Sequence, residues 1–512
     1  MVPFKKYRSL HWTIVLLLIE ALWFSLVIFT SVRPLLGEIR LSPDSTNWIV
    51  AAKNLMEHGT FHVQTNWPSK SLLPIIEPFT DYPPGYSFYL TLFLLVIHDP
   101  VVAATWAHAV SILMCFCGLA FLFRSIGLPL ILRIAGYLLF AMLGNFPIIY
   151  QYFWTEPLFL GLSFLGGAFA LRMGTDPSFW GKVLPAASCF FLASSMKVIG
   201  VFNFAWFLVP LLRTPPIRWR MAAGMMIACT APLVLWFARN KIVHGQMSFS
   251  HRIGETHLKD ELLVPLRVIT HDLIPVFDRP WTGPIMLTIL CFILWGPLFL
   301  REPTLLKAKA FLGERKRVIH LQLVLVLSAH FFGIWALSLV SHFSALDDRL
   351  LSPSIALAII AGLSGLDRFC DLLDAGGRLF VRSLPFVYMA VGMHITVPKL
   401  TLDIPHFTHP PHAELWTTLD SSGIPAGATH YYTDQDFSHQ LYSPLPHRIL
   451  WETSDFNSPD AIRALFEKGT RPFFIFDTTS VEFNVFEQAW RSDHDPLLEA
   501  RSIGGFMVYH RP

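Results

Sequence analysis

The sequence predicts a polytopic α-helical membrane protein with a small soluble α/β domain at its C-terminal end, and three observations carry that expectation. Of 512 residues, 53% are hydrophobic and only 15% are charged, which is few charges for a soluble chain of this length. Apolar runs close to the length that crosses a bilayer as a helix recur from Trp12 to about residue 398. Beyond that point the pattern changes to short, alternating strand and helix segments. The net charge of +3 gives no sign of a nucleic-acid partner. Cys115, Cys117, Cys189, Cys229, Cys291 and Cys370 all lie in or beside apolar segments, where they read as packing residues and not as a disulfide framework.

The first apolar run, Trp12 to Ser31, follows "KKYR". It is too long for the core of a signal peptide and lacks a small-residue cleavage site, so it reads as an uncleaved first span with its N-terminus in the cytoplasm. With it, the expected spans are 12–31, 101–123, 127–145, 157–173, 183–196, 198–212, 219–238, 281–300, 319–341, 350–366 and 383–398. The run Pro84 to Ile97 is shorter, about fourteen residues, which suits an interfacial or re-entrant segment. Leaving it out gives about eleven spans. It also puts "KKYR", Arg124 and Arg133, Arg172 and Lys182, "RTPPIRWR", "REPTLLKAKAFLGERKR", and Arg368, Arg378 and Arg382 on the inside, as the positive-inside rule asks.

In this arrangement the outside holds a large first loop (32–100), a short loop (146–156), a polar loop (239–280) and everything after about 399. The expected domains are therefore a transmembrane domain, 1–398, and an extracytoplasmic α/β domain, 399–512. The second is read from "ATHYYTD", "RILWET", "SPDAIRALFEKG", "RPFFIFDTT", "EFNVFEQAWRS" and "GGFMVYH".

The first loop opens with "LSPDSTNWIVAAKNLMEHGTF". Ser42 is a suitable N-cap, Pro43 a suitable first helical residue and Gly59 a natural stop. Asp44, Trp48, Ala51, Ala52 and Leu55 share one face of that helix. Taken alone, Asp44 reads as a first-turn acid complementing the helix dipole. Then comes "EPFTDYPPGYSFYLTLFLL". Pro83 and Pro84 stiffen the turn, Gly85 tolerates unusual dihedrals, and Tyr82, Tyr86 and Tyr89 suit the headgroup level.

These two stretches in this order resemble the C-type glycosyltransferases, the GT-C superfamily, which includes the protein O-mannosyltransferases and the lipid A aminoarabinose transferases. Four further stretches match in order. "QYFWTEPLFLGL" resembles the second acidic motif, with Glu156 in the second outer loop, and "SSMKVIGVFNFAWFLVPLL" resembles the lysine-bearing helix start. "LVLWFARNKIVHG" resembles the Arg-Asn-x-x-x-x-Gly helix exit, and "DDRLLSPSIALAII" resembles the "R-Y-L-L-P" opening of a late helix. The chain departs from the pattern where Ser45 follows Asp44, since many relatives have two adjacent acids, and at Leu350, where an aromatic is common.

The resemblance implies an inverting transfer of a sugar from a polyprenyl-phosphate carrier to an acceptor at the outer membrane face. Such chemistry needs a base for the acceptor hydroxyl, cations for the departing phosphate and an apolar groove for the polyprenyl chain. Asp44 is the candidate base and Glu156 the candidate for acceptor positioning or sugar binding, with Glu156 next in line as base. Lys197, which interrupts an apolar stretch, and Arg349, at a helix start, are candidates for the phosphate. Arg349 also reads as a salt-bridge partner of Asp347 or Asp348. Arg239 is a third cation, more in keeping with a snorkelling anchor. Tyr82 and Tyr86 complete the candidate substrate-binding set.

No cofactor is expected, and a divalent metal is left open. "HRIGETH" (His251, His257) and "PHFTHPPH" (His406, His409, His412) lack standard zinc spacing. The expected partners are a polyprenyl-phosphate sugar, a glycan, lipid or protein acceptor, and membrane lipids. A lipid-linked saccharide transporter without enzymatic activity is the alternative; the absence of clear internal repeats weighs against it. The compact size and the lack of a C-terminal retention signal lean toward a bacterial inner membrane, with the site on the extracytoplasmic face.

Overall fold

A computed structural model describes residues 3–36, 41–65, 75–143, 146–173, 180–213, 218–245, 315–340, 348–371, 373–401, 430–433, 447–449, 472–477, 486, 499–503 and 506–510. The expected span 281–300, the histidine-bearing stretches "HRIGETH" and "PHFTHPPH", and Asp347 lie outside the described residues.

The described elements, in chain order, are α1 (Pro3–Val32), a 3-10 turn (Arg33–Leu36), α2 (Pro43–His58), β1 (His62–Thr65), β2 (Ile75–Pro78), α3 (Gly85–Leu94), α4 (Pro100–Ile126) and α5 (Leu130–Met142). There follow α6 (Phe146–Gln151), α7 (Glu156–Arg172), α8 (Trp180–Met196), a 3-10 helix (Val198–Phe207), α9 (Leu208–Arg213) and α10 (Arg218–His244). Then come α11 (Arg315–Val340), α12 (Asp348–Cys370), α13 (Ala375–Thr401), β3 (His430–Thr433), β4 (His447–Ile449), β5 (Pro472–Asp477), β6 (Glu499–Ile503) and β7 (Phe506–His510). They divide into two units. The first comprises Met1–Leu36, Thr80–Tyr86 and His108–Pro405; the second comprises Gly37–Phe79, Ser87–Ala107 and His406–Pro512.

Among the described residues, five stretches are long and apolar enough to cross a membrane: Ile14–Leu35, Pro100–Ile126, Ala222–Val243, Arg315–Leu337 and Arg349–Cys370. The helix α1 turns its apolar side outward: Leu16, Leu17, Leu18, Leu22 and Phe29 are exposed, while Glu20 and Ser31 are buried. The same inversion recurs on α10, where Ile227, Val234, Leu235 and Ile242 are exposed and Asn240 is buried. Such faces are stable in hydrocarbon and not in water, where each exposed apolar side chain would carry a hydration cost. The chain is a membrane protein. The helix α3 has ten residues and is too short to cross a bilayer, in keeping with the reading of Pro84 to Ile97 as a non-spanning run.

Small residues let the helices of the first unit approach closely. A Cβ placed on Gly118 of α4 would lie 2.5 Å from the carbonyl oxygen of Gly161 on α7. Buried carboxylates tie the helix ends. Glu20 of α1 takes Arg124 at 3.3 Å and Arg133 at 3.1 Å, and Tyr137 donates to it at 3.0 Å. Asp367 of α12 takes Lys316 of α11 at 3.0 Å and Arg382 of α13 at 3.2 Å. Each cluster sets a buried acid against two cations, which spreads the desolvation cost that a lone buried charge would carry.

In the second unit, α2 forms as its sequence dictates. The Ser42 hydroxyl accepts from the Ser45 backbone N–H at 3.1 Å, Pro43 begins the helix, and Gly59 ends it at φ 64° with its N–H on Leu55. Trp48, Ala51 and Ala52 are buried together, and Asp44 is half-buried in the first turn. β1 and β2 form an antiparallel pair, with His62 opposite Pro78 and Thr65 opposite Ile75. The Asn54 amide donates to the His62 carbonyl at 2.9 Å and fixes β1 to α2. The C-terminal strands form one sheet in the order β4-β3-β5-β7-β6, parallel among β4, β3 and β5 and antiparallel from β5 through β7 to β6. Phe474, Phe476, Phe486 and Tyr509 make its aromatic core. Of the expected helices of this region, Phe486 is described as helical and the remaining residues lie outside the described set.

Candidate functional site

The first unit brings three of the candidate site residues into one neighbourhood. Glu156 opens α7, with Pro157 as the second helical residue. Its Oε1 lies 2.6 Å from the Lys197 ammonium, and the Thr155 hydroxyl donates to Oε2 at 3.4 Å. Both partners are largely withdrawn from solvent, with side-chain exposures of 4% for Glu156 and 12% for Lys197. Lys197 stands between the end of α8 and the 3-10 helix, in extended conformation (φ −140°, ψ 138°). Its N–H closes α8 on Ala193 at 3.1 Å, and its carbonyl accepts from Gly200 at 2.9 Å.

Arg349 approaches the same loop from α12. Its guanidinium lies 4.6 Å from the centre of the Trp154 ring, and Trp154 is stacked on Tyr152 at 4.6 Å and 10°. The result is a layered cation–aromatic–aromatic stack two residues before Glu156. Contacts of this kind contribute about 0.5–2 kcal/mol, more as water is excluded.

The "YPPGY" turn is held at both ends within this unit. Asn240, fully buried at the exit of α10, donates to the Thr80 carbonyl at 3.3 Å. At the other end Gly85 rests on the last turn of α8: a Cβ there would lie 2.4 Å from Ser195 Oγ and 2.5 Å from Ser195 O. The sequence reading notes that Gly85 tolerates unusual dihedrals. Among the described residues the positive-φ glycines are Gly59, Gly127 and Gly245, so Gly85 is needed for space against Ser195, which lies two residues before Lys197. Tyr86 is fully buried and Tyr82 half-buried. The Tyr89 hydroxyl donates to the Ala107 carbonyl at 2.8 Å, so it fastens α3 to α4.

Arg239 lies over the Trp236 ring at 5.1 Å and donates to Asn240 Oδ1 at 3.0 Å. It thereby orients the amide that holds Thr80. Gly245 ends α10 in left-handed conformation, with its N–H on Lys241 at 3.1 Å. Asp44 belongs to the second unit, on α2 as described. Among the described residues no group of three or more His, Cys, Asp or Glu side chains could hold a metal ion.

Sequence reasoning passed over Tyr152 and Trp154 as partners of Arg349, and Asn240 as the brace of the first loop. It also passed over a buried polar bridge of Ser163, Asn203 and His330 beneath the ion pair. The signal was present for the last: Asn203 and His330 each interrupt an apolar run, "VIGVFNFAWF" and "LSAHFF", and polar side chains in such runs are costly unless they are used.

Comparison with solved structures places this arrangement in a known architecture. ArnT from Cupriavidus metallidurans, in a crystal structure bound to undecaprenyl phosphate, superimposes with a TM-score of 0.54 at 13% identity, over 98% of this chain and 98% of that one. The mycobacterial arabinofuranosyltransferase AftD gives a TM-score of 0.59 at 14% identity over 96% of this chain, which spans 40% of AftD. An Archaeoglobus fulgidus oligosaccharyltransferase, crystallised with zinc and sulfate, gives 0.51 at 11% identity, over 96% of this chain and 73% of that one. The chain has the GT-C fold. No family model matches the sequence, and no curated protein matches it. The GT-C likeness thus rests on tertiary structure, which it follows along nearly the whole chain. In the resemblance read from the sequence, Glu156, Lys197 and Arg349 belong to three separate motifs; in this GT-C fold they stand in one unit, linked through an ion pair and a ring stack.

Proposed function

We propose that this protein is a membrane glycosyltransferase that moves a sugar, with inversion, from a polyprenyl-phosphate-linked donor to an acceptor at the outer face of the membrane. The observation that carries the reading is the pairing of Lys197 with Glu156 beside the Arg349–Trp154 stack, in a chain with the GT-C fold. Two cations held on the same short segment, Lys197 by Glu156 and Arg349 over Trp154, are suited to a phosphodiester leaving group, whose charge grows as the bond to the sugar breaks. A structural neighbour crystallised with undecaprenyl phosphate supports the choice of lipid carrier.

In this reading Lys197 and Arg349 take the phosphate, and Asp44 is the general base. The oxygens of Glu156 are engaged by Lys197 and Thr155, which makes it a good holder of the lysine. Arg239 acts through Asn240 to set the first loop, whose Tyr82 and Tyr86 are the candidate substrate-binding tyrosines. The transmembrane domain has about eleven spans. The C-terminal region is an extracytoplasmic α/β domain that bears on acceptor choice, and the membrane is the bacterial inner membrane.

The test is an assay of the purified full chain in nanodiscs with a panel of polyprenyl-phosphate sugars, with detection of free polyprenyl phosphate. Release of polyprenyl phosphate that depends on acceptor, and that is lost in Arg349→Ala, supports the reading. Movement of an intact lipid-linked saccharide across proteoliposomes, with no release, would replace it with the transporter alternative.

A further inference from the structure

Lys197 is delivered by an unusual element. The helix that follows it is a 3-10 helix of ten residues, Val198–Phe207. Such helices have poor hydrogen-bond geometry and seldom run beyond about four residues, so a long one needs support from its surroundings. Here the support is visible on three sides. A Cβ on Gly200 would lie 2.6 Å from Ser194 Cα, which seats the first turn against the end of α8. The Trp206 ring fills the space above Gly167 of α7, and Gln322 of α11 donates to the Trp206 carbonyl.

The middle of the helix is held by a buried polar bridge, with the Phe202 ring packed over Gly333 beside it. Asn203 is fully buried and donates through Nδ2 to Ser163 Oγ of α7 at 3.0 Å. Its Oδ1 lies 3.2 Å from Nε2 of His330 on α11. Because Nδ2 faces the serine, Oδ1 must be the acceptor toward the histidine, and Nε2 carries the proton. The other ring nitrogen, Nδ1, is buried and has no hydrogen-bond partner among the described residues. The imidazole is therefore committed to Asn203, while Phe202 packs edge-on against its ring. Three polar side chains in an apolar layer are costly to bury, and that cost is offset only by bonds to one another.

The spacing relates this bridge to the ion pair. Ser163 lies seven residues after Glu156 on α7, about 10 Å along the axis and on the same face. Asn203 lies six residues after Lys197, two turns of a 3-10 helix and about 12 Å along it. Glu156–Lys197 and Ser163–Asn203 are thus two rungs between the same two elements, with matched spacing, and His330 braces the lower rung from α11. If the 3-10 segment relaxed to α-helical geometry, Lys197 would turn by roughly 120° relative to Asn203 and the spacing would shorten by roughly 3 Å. Either change exceeds what a 2.6 Å contact tolerates.

We propose that Asn203, braced by His330, is a positioning residue for Lys197: the lower rung holds the 3-10 helix in the winding that presents the ammonium at the Glu156 carboxylate. The consequence for turnover rests on the reading above, that Lys197 serves the donor phosphate. The positioning itself does not.

The test uses the purified full chain and two readouts. The first is the rate of Lys197 acylation by an amine-reactive probe, followed by mass spectrometry, which needs no donor. Asn203→Leu and His330→Met should each raise this rate about five-fold, the scale of one net hydrogen bond. His330→Gln, whose amide reaches the place of Nε2, should stay within about two-fold of wild type. Ser163→Ala, a smaller change, should move the rate in the same direction and keeps the test readable if Asn203→Leu is not recovered folded. The second readout is the donor KM with a polyprenyl-phosphate sugar, expected to rise in the same variants and recover in His330→Gln. Unchanged Lys197 acylation in His330→Met and Ser163→Ala, with a lower unfolding temperature as the sole effect, would overturn the proposal and leave the bridge a purely structural contact. A rate that responds as expected, in a chain that transfers no sugar, would uphold the positioning and reject the glycosyltransferase reading.

Discussion

The Lys197 ammonium lies 2.6 Å from Glu156 Oε1, across 41 residues of sequence, with both side chains almost fully withdrawn from solvent. A buried ion pair of this kind is weak support for net stability, yet the loss of one partner is expensive because the other charge stays behind. Lys197→Met should lower stability by about 3–5 kcal/mol, and Glu156→Gln should have a cost of the same order. The double variant should regain most of that loss, since no orphaned charge remains. Thermal unfolding of the four proteins in one detergent measures the cycle. Additive losses in the double variant would mean that the two groups do not interact in the folded protein.

Asp44 sits in the first turn of α2 behind the Ser42 cap, where Asn can replace it without loss of the helix start. Asp44→Asn should cut transfer by about 10²–10⁴-fold while the donor KM changes little, as removal of a general base does. Near-normal specific activity of the purified variant would take Asp44 out of the mechanism and make Glu156 the next candidate.

Gly85 has no room for a side chain. A methyl group there meets Ser195 Oγ at 2.4 Å and the Ser195 carbonyl at 2.5 Å. Gly85→Ala should destabilise the protein by about 1–3 kcal/mol through overpacking. Ser195→Ala in that background removes only the hydroxyl, so it should restore part of the loss and not all of it. Unfolding temperatures of the single and double variants decide the matter; a neutral Gly85→Ala would show that the turn can move away from α8.

The topology proposed above has the loops around Asp44, Glu156, Lys197 and Arg349 on one side of the membrane. Single cysteines introduced beside each of them should react with a membrane-impermeant maleimide applied from outside the cell. Reaction of the Glu156 loop only after the cytoplasm is opened would reject the about eleven-span topology and the outer-face site together.

Much of this protein was legible in the residues themselves. Hydropathy marks the spans, because a stretch that crosses hydrocarbon must be apolar whatever its neighbours are. The ends of α2 were legible too: Ser42, Pro43 and Gly59 act on backbone groups within a few residues, so local chemistry settles them. Lys197, Glu156 and Arg349 were each conspicuous as charges at the edges of apolar runs. What the sequence does not contain is the pairing. That Lys197 meets Glu156, that Arg349 covers Trp154, and that Asn240 reaches the Thr80 carbonyl 160 residues away depend on which helix faces meet and at what depth. Periodicity encodes that a face is buried, not against what. The role of Gly85 shows the difference most plainly. Its lack of a side chain was visible in the sequence, but the reason for it is the backbone of Ser195, brought within contact distance only when α8 packs against the "YPPGY" turn.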